Sequence, residues 1–333
     1  MRRPHLLITS AGRRAKLVEY FVREFKDGQV SAADCSPLAP ALYMAHHHYI
    51  VPEITHPDYI DHLLELCQQQ QVTALLSLID PELESLAAAH DRFETIGVTV
   101  VVSPQEACAL CFDKYAMYTH CVGQGIAHAK TYHTLAAFQE ALALQEIDFP
   151  VFVKPRNGSA SIAVSRVGSL PEVEHLFDQS EGLIVQEFLD GPELGVDVYV
   201  DLLSQEVTSI FIKEKLVMRA GETDKSRSVV RADVFELVEH VLEGTGLVGP
   251  LDFDVFDVDG TLYLSEINPR FGGGYPHAYE CGVNFPAQLY QNLQGHINRP
   301  AIGQYQENRY MMKHDTVTLV SAAQFEQSNH NKT

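Results

Sequence analysis

Apolar runs alternate with amphipathic stretches over the first third of the chain. The run His5–Thr9 reads HLLIT and predicts a buried strand, and apolar residues then recur at helical spacing over 17–25. Strands and helices are predicted in alternation after that, with strands at 29–34, 73–78 and 98–102 and helices at 57–70 and 81–93. This order predicts a doubly wound, Rossmann-like parallel sheet over residues 1–110.

After this first sheet the pattern becomes that of an α+β protein. Two helical patterns, at 114–123 and 135–144, precede the apolar strand PVFVKP. Later segments, among them LGVDVYVDLL and TLYLSEINP, alternate with period 2, which is typical of an antiparallel sheet. We therefore expect a small subdomain over 111–185, a larger one over 186–310, and a C-terminal segment over 311–333 whose polar end is frayed.

Charge and composition narrow the class of function. The 333 residues include 24 Lys and Arg against 44 Asp and Glu, a formal net charge of −20. A surface of this sign repels polyanions, so nucleic acid is not an expected partner. The apolar runs are far shorter than the roughly 18 residues that suggest a membrane-spanning helix, so we expect no membrane partner. The basic start lacks the apolar region of a signal peptide, which favours a cytoplasmic location.

Neither the cysteines nor the clustered histidines indicate a metal site. The six cysteines are interpreted as core thiols, because the single CxxC pair, Cys108 and Cys111, has no second pair with which to bind zinc. The three histidines at 46–48 have no carboxylate partner set by spacing. They are interpreted as surface residues of a linker between the second strand and the next helix.

A lysine at the end of an apolar strand is the first candidate for phosphate chemistry. Lys154 closes FPVFVKP, and the small-residue loop that follows includes Asn157, Gly158 and Ser159. Such a loop can fold over a polyphosphate and donate backbone N–H groups while the lysine supplies a point charge. A simple hairpin with a surface lysine explains this stretch equally well when it is taken alone.

Oxygen ligands flank a predicted hairpin turn near the end of the chain. Asp254 and Glu266 lie on either side of the Asp259–Gly260 turn, so paired antiparallel strands bring their carboxylates together. Asn268 follows two residues beyond Glu266 on the same face. Three oxygen ligands beside a phosphate loop suit Mg²⁺. Asp252 lies on the same face as Asp254 and is an alternative first ligand.

Four motifs together resemble the ATP-grasp superfamily, closest in character to carbamoyl-phosphate-synthase-like ATP-grasp proteins. They are CFDKYAMY, VFVKPRNGSAS, VQEFLDGPELGVDV and DFDVFDVDGTLYLSEINPRFGGG, in the family's order and spacing. The resemblance covers about residues 5–310. It implies a Rossmann-like pre-ATP-grasp domain followed by a two-subdomain ATP-grasp fold, with ATP and Mg²⁺ or Mn²⁺ as cofactors.

The resemblance also assigns roles by position. It implies that Lys114 and Lys154 reach the ATP phosphates and that Arg270 neutralises the transferring phosphoryl group or the acyl phosphate. The residues that it places around the nucleoside are Gln186, Glu187 and Leu189 at the adenine and Glu193 at the ribose. The residues that it places on the metal are Asp254, Glu266 and Asn268, although relatives often carry Glu or Gln at the first of these positions.

Four further segments are candidates for contact with a ligand. In the polar segment 211–229, Lys213, Lys215 and Arg219 are candidate contacts, with a solvated charged hairpin as the alternative. The glycine loop FGGGYPH over 271–277 permits close backbone approach to a ligand. Two features of the first domain have open interpretations. SAGRR can bind an anion at a helix N-terminus, and Asp80 with Glu82 faces a substrate crevice or caps a helix.

The resemblance implies an ADP-forming ligase that activates a small carboxylate as an acyl phosphate and joins it to an amine, and it implies a homodimer. One alternative is carbamoyl-phosphate-synthase chemistry on bicarbonate with a partner subunit, since the chain carries a single set of ATP motifs. A second alternative is a non-catalytic nucleotide-binding protein with a regulatory role. The intact lysines and carboxylates favour the ligase.

Overall fold

The structure is a computed structural model that describes residues 3–158 and 164–330. Its strands form three sheets of five, four and six strands. Ser159 lies outside the described residues, so its predicted contact with the nucleotide stays a prediction.

The N-terminal sheet is parallel throughout, in the order β3-β2-β1-β4-β5, which confirms the predicted α/β fold of this part. Its strands are β1 (His5–Thr9), β2 (Gln29–Asp34), β3 (His47–Ile50), β4 (Ala74–Ser77) and β5 (Thr99–Val101). The helices on its faces are α1 (Ala15–Glu24), a 3-10 helix (Pro40–Met44), α2 (Tyr59–Gln69), α3 (Asp80–Ala88) and α4 (His90–Thr95). Leu6 and Ile8 pack into the core on one face and Leu7 into the core on the other, because successive side chains of a strand point to opposite faces.

Two predictions for this sheet were wrong. The helix predicted over 81–93 is interrupted at Ala89, which separates α3 from α4. The histidines expected in a linker at 46–48 instead lead into the edge strand β3, which pairs with β2. An edge strand exposes one side to solvent, so a run of polar side chains does not prevent pairing there.

The second sheet is small and antiparallel, in the order β6-β9-β7-β8. Its strands are β6 (Thr131–Tyr132), β7 (Val151–Pro155), β8 (Ser165–Val167) and β9 (Leu183–Glu187). Two helices, α5 (Gln105–Phe112) and α6 (Lys114–Gly123), precede the sheet, and α7 (Leu135–Ala143) and α8 (Leu170–Gln179) pack against it. The core below it is apolar and includes the buried residues Phe138 and Val151.

The third sheet is antiparallel, in the order β14-β13-β10-β11-β12-β15. Its strands are β10 (Glu193–Val200), β11 (Val207–Arg219), β12 (Glu222–Val229), β13 (Gly249–Val258), β14 (Thr261–Asn268) and β15 (Tyr310–Met312). The helices of this part are α9 (Ala232–Leu242), α10 (Pro276–Glu280), α11 (Phe285–Leu293) and α12 (Ala322–His330). Of the end expected to be frayed, 324–333, residues 324–330 lie in α12 and the last three lie outside the described residues.

The N-terminal sheet and the large sheet share one hydrophobic core. Tyr20 of α1 stacks on Tyr279 of α10 at 3.7 Å between ring centroids, and its hydroxyl donates to Glu280 at 2.7 Å. Phe21 of the same helix meets Phe271 edge to face at 5.4 Å. This packing places the loop after β1 next to the glycine loop. Within the described residues, no helix has the length and apolar character needed to cross a membrane.

Candidate functional site

Four oxygen-bearing side chains meet on the paired strands β13 and β14. Asp254 lies opposite Glu266 in the register, and Asp252 lies opposite Asn268. Burial raises the pKa of Asp254 to about 7 against the effect of Lys215, and the charge of Asp252 adds to that rise. The strands thus gather more negative charge at one spot than the nearby lysine compensates.

Such a donor set fits a divalent metal ion. Mg²⁺ prefers carboxylate and amide oxygens, and a dication would favour the charged form of Asp254, which burial and the neighbouring carboxylates disfavour. The hairpin predicted from the Asp259–Gly260 turn positions these oxygens, because the turn sets the register that aligns Asp254 with Glu266.

The structure distinguishes Asp252 from Asp254 by their partners. Arg270 donates to Asp252 at 2.8 Å and to Asp80 of α3 at 3.0 Å. Although burial opposes the charged form, Arg270 holds the pKa of Asp252 below its usual range. Asp252 is therefore committed to an arginine, whereas Asp254 faces Glu266.

Two lysines from the small-sheet side approach these carboxylates. Burial lowers the pKa of Lys154, the charge of Lys114 adds to this effect, and Glu266 and Asp254 oppose it. Lys154 belongs to β7 and Glu266 to β14, so their interaction crosses the cleft between two sheets. The predicted phosphate lysines and the predicted metal carboxylates therefore border one cleft.

An ion pair between Arg156 and Asp113 lies beside Lys114, the second of these lysines. Asp113 caps α6 by accepting from the backbone N–H groups of Tyr115 and Ala116, both at 3.0 Å. Arg156 donates through Nε to the same carboxylate at 2.8 Å. Lys114, the first residue of α6, donates to the carbonyl of Gly158 at 2.5 Å. The start of α6 and the loop after β7 are thus joined as one unit.

The predicted adenine residues lie at the crossing from the small sheet to the large one. Gln186 is buried in β9 and donates to Thr131 at 3.0 Å, and Glu187 ends the same strand. Leu189 follows in the connection to β10 and is half-buried. Gly191 ends this connection against the backbone of β13, where an added Cβ would lie 2.1 Å from the carbonyl oxygen of Asp257.

Glu193 is linked to the carboxylate site through a lysine. Lys215 donates to Glu193 at 2.7 Å and to Asp254 at 2.5 Å. Although burial opposes its charge, these two carboxylates raise the pKa of Lys215. The alternative of a solvated hairpin is wrong for this lysine, whose side chain is 6% exposed.

The other two candidate basic residues of the segment 211–229 pair with carboxylates outside the predicted metal site. Lys213 is 1% exposed and forms a buried ion pair with Asp197. A Cβ added at Gly274 would lie 2.5 Å from the Cε of Lys213, so this lysine packs against the glycine loop. Arg219 is exposed and pairs with Asp315 at 2.9 Å. The structure brings neither of them to Lys154, and their predicted contacts with the nucleotide stay predictions.

Asp80 does not cap α3, and the interpretation that it faces a substrate crevice stays a prediction. It makes no capping hydrogen bond at the start of α3 and instead binds Arg270 beside the cleft. Its second carboxylate oxygen is buried and has no hydrogen-bond partner in the described part of the chain. Five of the six cysteines are buried as predicted, and burial raises the pKa of Cys108 to about 12, but the prediction of a core thiol is wrong for Cys35, which is exposed.

Sequence reasoning missed one residue that borders the site. Lys313 follows β15 and donates to Glu222 at 3.1 Å and to the carbonyl of Gly273 at 2.6 Å. It lies outside every motif, in the C-terminal segment. No sequence signal marks it, because only the pairing of β15 with β12 brings it to the glycine loop.

Family models match two parts of the chain. Residues 6–101 match the model described as PylC-like, N-terminal domain. Residues 179–317 match the model described as ATP-grasp in the biosynthetic pathway with Ter operon.

Two curated proteins illustrate the similarity in sequence. The vancomycin B-type resistance protein VanB of Enterococcus faecalis is 26% identical over 271 residues, which cover 72% of this chain and 79% of that protein. A D-alanine–D-alanine ligase of Francisella philomiragia is 25% identical over 197 residues, which cover 54% of this chain and 63% of the ligase. The match thus spans less than two thirds of that ligase.

Two solved structures share the fold. The N5-carboxyaminoimidazole synthetase of Staphylococcus aureus, solved with ADP, has a TM-score of 0.73 at 15% identity and covers 92% of this chain and 80% of its own. The biotin carboxylase domain of Hydrogenobacter thermophilus 2-oxoglutarate carboxylase was solved with MgADP and bicarbonate. It has a TM-score of 0.73 at 17% identity, and the match covers 92% of this chain and 73% of that one. At these identities the likeness concerns the fold.

Proposed function

Since this chain is an ATP-grasp enzyme of the ATP-dependent carboxylate–amine ligase class, as its motifs predicted, we propose that it forms ADP while joining a small carboxylic acid to an amine. The observation that carries this proposal is that Lys154 lies within electrostatic reach of Glu266 and Asp254 on one side and of Lys114 on the other. Phosphoryl transfer needs positioning and charge neutralisation, and this arrangement can supply both.

The proposed reaction has two steps. A carboxylate oxygen of the acid attacks the γ-phosphorus of ATP, the bond to the β–γ bridging oxygen breaks, and ADP leaves. The amine nitrogen of the second substrate then attacks the acyl carbon, inorganic phosphate leaves, and the nitrogen loses a proton. No covalent bond to the protein is required in either step.

Each part of the cleft has a proposed role. Lys114 and Lys154 bind the phosphates from the small-sheet side, and Arg270 neutralises negative charge on the transferring group. Gln186, Glu187 and Leu189 border the adenine and Glu193 the ribose. This last set is assigned by position in the motifs and by its place at the crossing between the two sheets.

Asp254, Glu266 and Asn268 are the proposed ligands of Mg²⁺, and Mn²⁺ is a proposed substitute. When bound, the ion neutralises phosphate charge during transfer. Asp254 is preferred over Asp252 as the first ligand because Arg270 already engages Asp252. A move of Lys215 away from Asp254 would free the carboxylate oxygen to which this lysine now donates.

Measurement of ADP and phosphate release tests the proposal. The purified protein receives Mg-ATP with pools of amino acids, small carboxylic acids or bicarbonate. We expect release with one pool of acids and amines, and a loss of about 10²-fold or more in Glu266→Gln. Glu206→Gln, at an exposed turn, is the matched control. Release with bicarbonate alone would favour the carbamoyl-phosphate-type alternative. ATP binding without release from any pool would favour the non-catalytic alternative.

The expected homodimer and the expected cytoplasmic location stay predictions. Sedimentation of the purified protein tests the first of these. A monomer at concentrations at which the enzyme is active would contradict it.

A further inference from the structure

Three cationic side chains surround one carboxylate beside the cleft. Lys313 lies 3.1 Å from Glu222, Arg14 lies 3.5 Å from it, and Arg13 lies 3.7 Å from it. The two arginine distances exceed those of ordinary charge-assisted hydrogen bonds, so their guanidinium donors remain available. We call Arg13, Arg14, Glu222 and Lys313 the basic cluster.

The arginines of the basic cluster belong to a tightly organised turn. Ser10 and Gly12 adopt left-handed backbone conformations with φ of 49° and 50°. The N–H of Gly12 donates to Asp34 at 2.8 Å, and the Ser10 hydroxyl donates to Glu82 at 2.6 Å. Such a conformation is costly for a serine, and it persists where the surroundings over-determine it.

Buried hydrogen bonds hold that turn from below. Glu82 is fully buried, and it accepts from Ser77 at 2.6 Å and from Tyr59 at 2.7 Å in addition to Ser10. These hydroxyl donors satisfy the carboxylate without a cation. The arginines that follow Ser10 therefore extend from a supported loop, Arg13 largely exposed and Arg14 largely buried.

Lys313 is positioned from the opposite side. Its backbone N–H donates to the carbonyl of Asp224 at 2.9 Å, directly after β15 pairs with β12. Its amine donates to the carbonyl of Gly273. Lys313 and the arginines thus reach Glu222 from two separate parts of the chain.

The glycine loop connects the basic cluster to the cleft. A Cβ at Gly272 would lie 2.3 Å from Asp252, and a Cβ at Gly273 would lie 2.7 Å from Glu222. Asp252 and Glu222 thus pack against consecutive glycines of this loop, and the charges of Arg270, Asp252 and Asp80 all act on Arg14. A small molecule whose reacting carboxylate lies near Arg270 can extend a second group to the cluster.

The charges of the basic cluster do not balance. Burial lowers the pKa of Arg14 against the opposing charge of Glu222, and the charge of Arg270 adds to that lowering. Burial likewise lowers the pKa of Lys313 in spite of Glu222. The charge of Arg270 is already matched by Asp80 and Asp252. An anion at the cluster would relieve the excess positive charge that Glu222 alone does not neutralise.

We infer that the basic cluster binds a second anionic group of the substrate, a carboxylate or a phosphate that is not the group activated by ATP. This inference rests on the proposed function for the position of the reacting carboxylate. Arg13, Arg14 and Lys313 are specificity-determining residues, and Glu222 is their shared counter-ion, with which the anion competes. A dianionic acid is accordingly preferred over a monocarboxylic acid of the same length.

Calorimetric titration of the protein saturated with MgADP tests this inference. The probes are succinate, O-phosphoserine and butyrate. We expect at least one of the first two to bind about tenfold or more tightly than butyrate, and which one it is identifies the anion. Lys313→Ala and Arg14→Ala should each weaken that binding about tenfold and leave the affinity for MgADP unchanged. Glu222→Gln should strengthen it, which a merely structural role for Glu222 would not do.

Control variants and activity separate the two hypotheses. Lys225→Ala, an exposed lysine on β12, and Arg92→Ala, an exposed arginine near α2, should bind the probes like the natural protein. Equal binding of butyrate, no binding of any probe, or unchanged binding in Lys313→Ala and Arg14→Ala overturns the inference. Probe binding without ADP release from any substrate pool leaves the inference standing and counts against the ligase reaction. ADP release with a monocarboxylate, together with no binding of succinate or O-phosphoserine, supports the ligase reaction and overturns the inference.

Discussion

Asp80 and Arg270, which are 190 positions apart, form a buried ion pair at 3.0 Å that joins the N-terminal sheet to the end of β14. Arg270 also donates to Asp252 of β13 at 2.8 Å, so one guanidinium connects two parts of the fold. A buried ion pair is costly to break because the remaining charge stays in a region of low dielectric. The arginine proposed to neutralise the transferring group is therefore fixed by a residue from another domain.

Removal of Asp80 should destabilise the protein and misplace Arg270. We expect Asp80→Ala to lower the free energy of unfolding by about 3 kcal/mol or more, because Arg270 then lacks one of its two carboxylates. Urea unfolding followed by fluorescence measures this change. Asp80→Asn keeps the shape of the side chain and should cost less. Unchanged stability in Asp80→Ala would show that water replaces the carboxylate.

Removal of the Lys154 charge should impair phosphoryl transfer more than it impairs stability. Burial lowers the pKa of this lysine, so Lys154→Met removes a desolvated amine and keeps most of its bulk. We expect ADP release to fall about 10²-fold or more. Lys26→Met, at an exposed position, is the control. A variant with normal turnover would exclude Lys154 from the phosphate site.

Gly191 should not tolerate a side chain. A Cβ there would lie 2.1 Å from the carbonyl oxygen of Asp257, so Gly191→Ala must displace the backbone between β9 and β10. We expect a loss of about 1–3 kcal/mol in stability together with a higher KM for ATP. Gly123→Ala adds a methyl group at the end of α6 with no atom within 4 Å and should be neutral or stabilising. Equal melting temperatures for the two variants would contradict this expectation.

Two buried histidines should make the free energy of unfolding fall as the pH becomes mildly acidic. Burial lowers the pKa of His128 and that of His277 to about 4. Since histidine in the unfolded chain titrates near 6.5, the unfolded state binds protons first as the pH falls. Stability that is complete above pH 6.5 is therefore lost progressively toward pH 4.

The expected size of this effect is about 2 kcal/mol per histidine between pH 6.5 and pH 5. Urea unfolding at several pH values in this range measures it. The double variant His128→Gln/His277→Asn should be less stable at neutral pH and should lose stability less steeply on acidification. An equally steep pH dependence in that variant would assign the effect to other groups.

The local pattern of apolar and polar residues was sufficient to predict most helices and strands of the fold. The run His5–Thr9 was predicted and found as a parallel strand, because continuous apolar residues are needed where helices cover both faces of a sheet. The pairing of Asp254 with Glu266 was also predictable, since a two-residue Asp-Gly turn sets the register of its hairpin. The edge strand β3 was missed because its histidines carry no apolar alternation.

Long-range contacts account for the failures at the site. Lys213 and Lys215 are two residues apart with similar neighbours in the sequence, yet Lys213 is buried with Asp197 and Lys215 reaches Asp254. Their different partners come from strand β10 and strand β13, and neither is near in sequence. No local signal separates two lysines of one strand in this way.

The sequence by itself determined the order of strands and helices, the ATP-grasp motifs and the residue types for phosphate and metal chemistry. These features depend on periodicity, turn chemistry and short spacings, which are local. Only the tertiary structure decided that Arg270 pairs with Asp80, that Arg270 engages Asp252 while Asp254 faces Glu266, and that Lys313 meets Arg14 at Glu222. Those contacts join distant segments, so packing of the domains, and not local sequence, selects them.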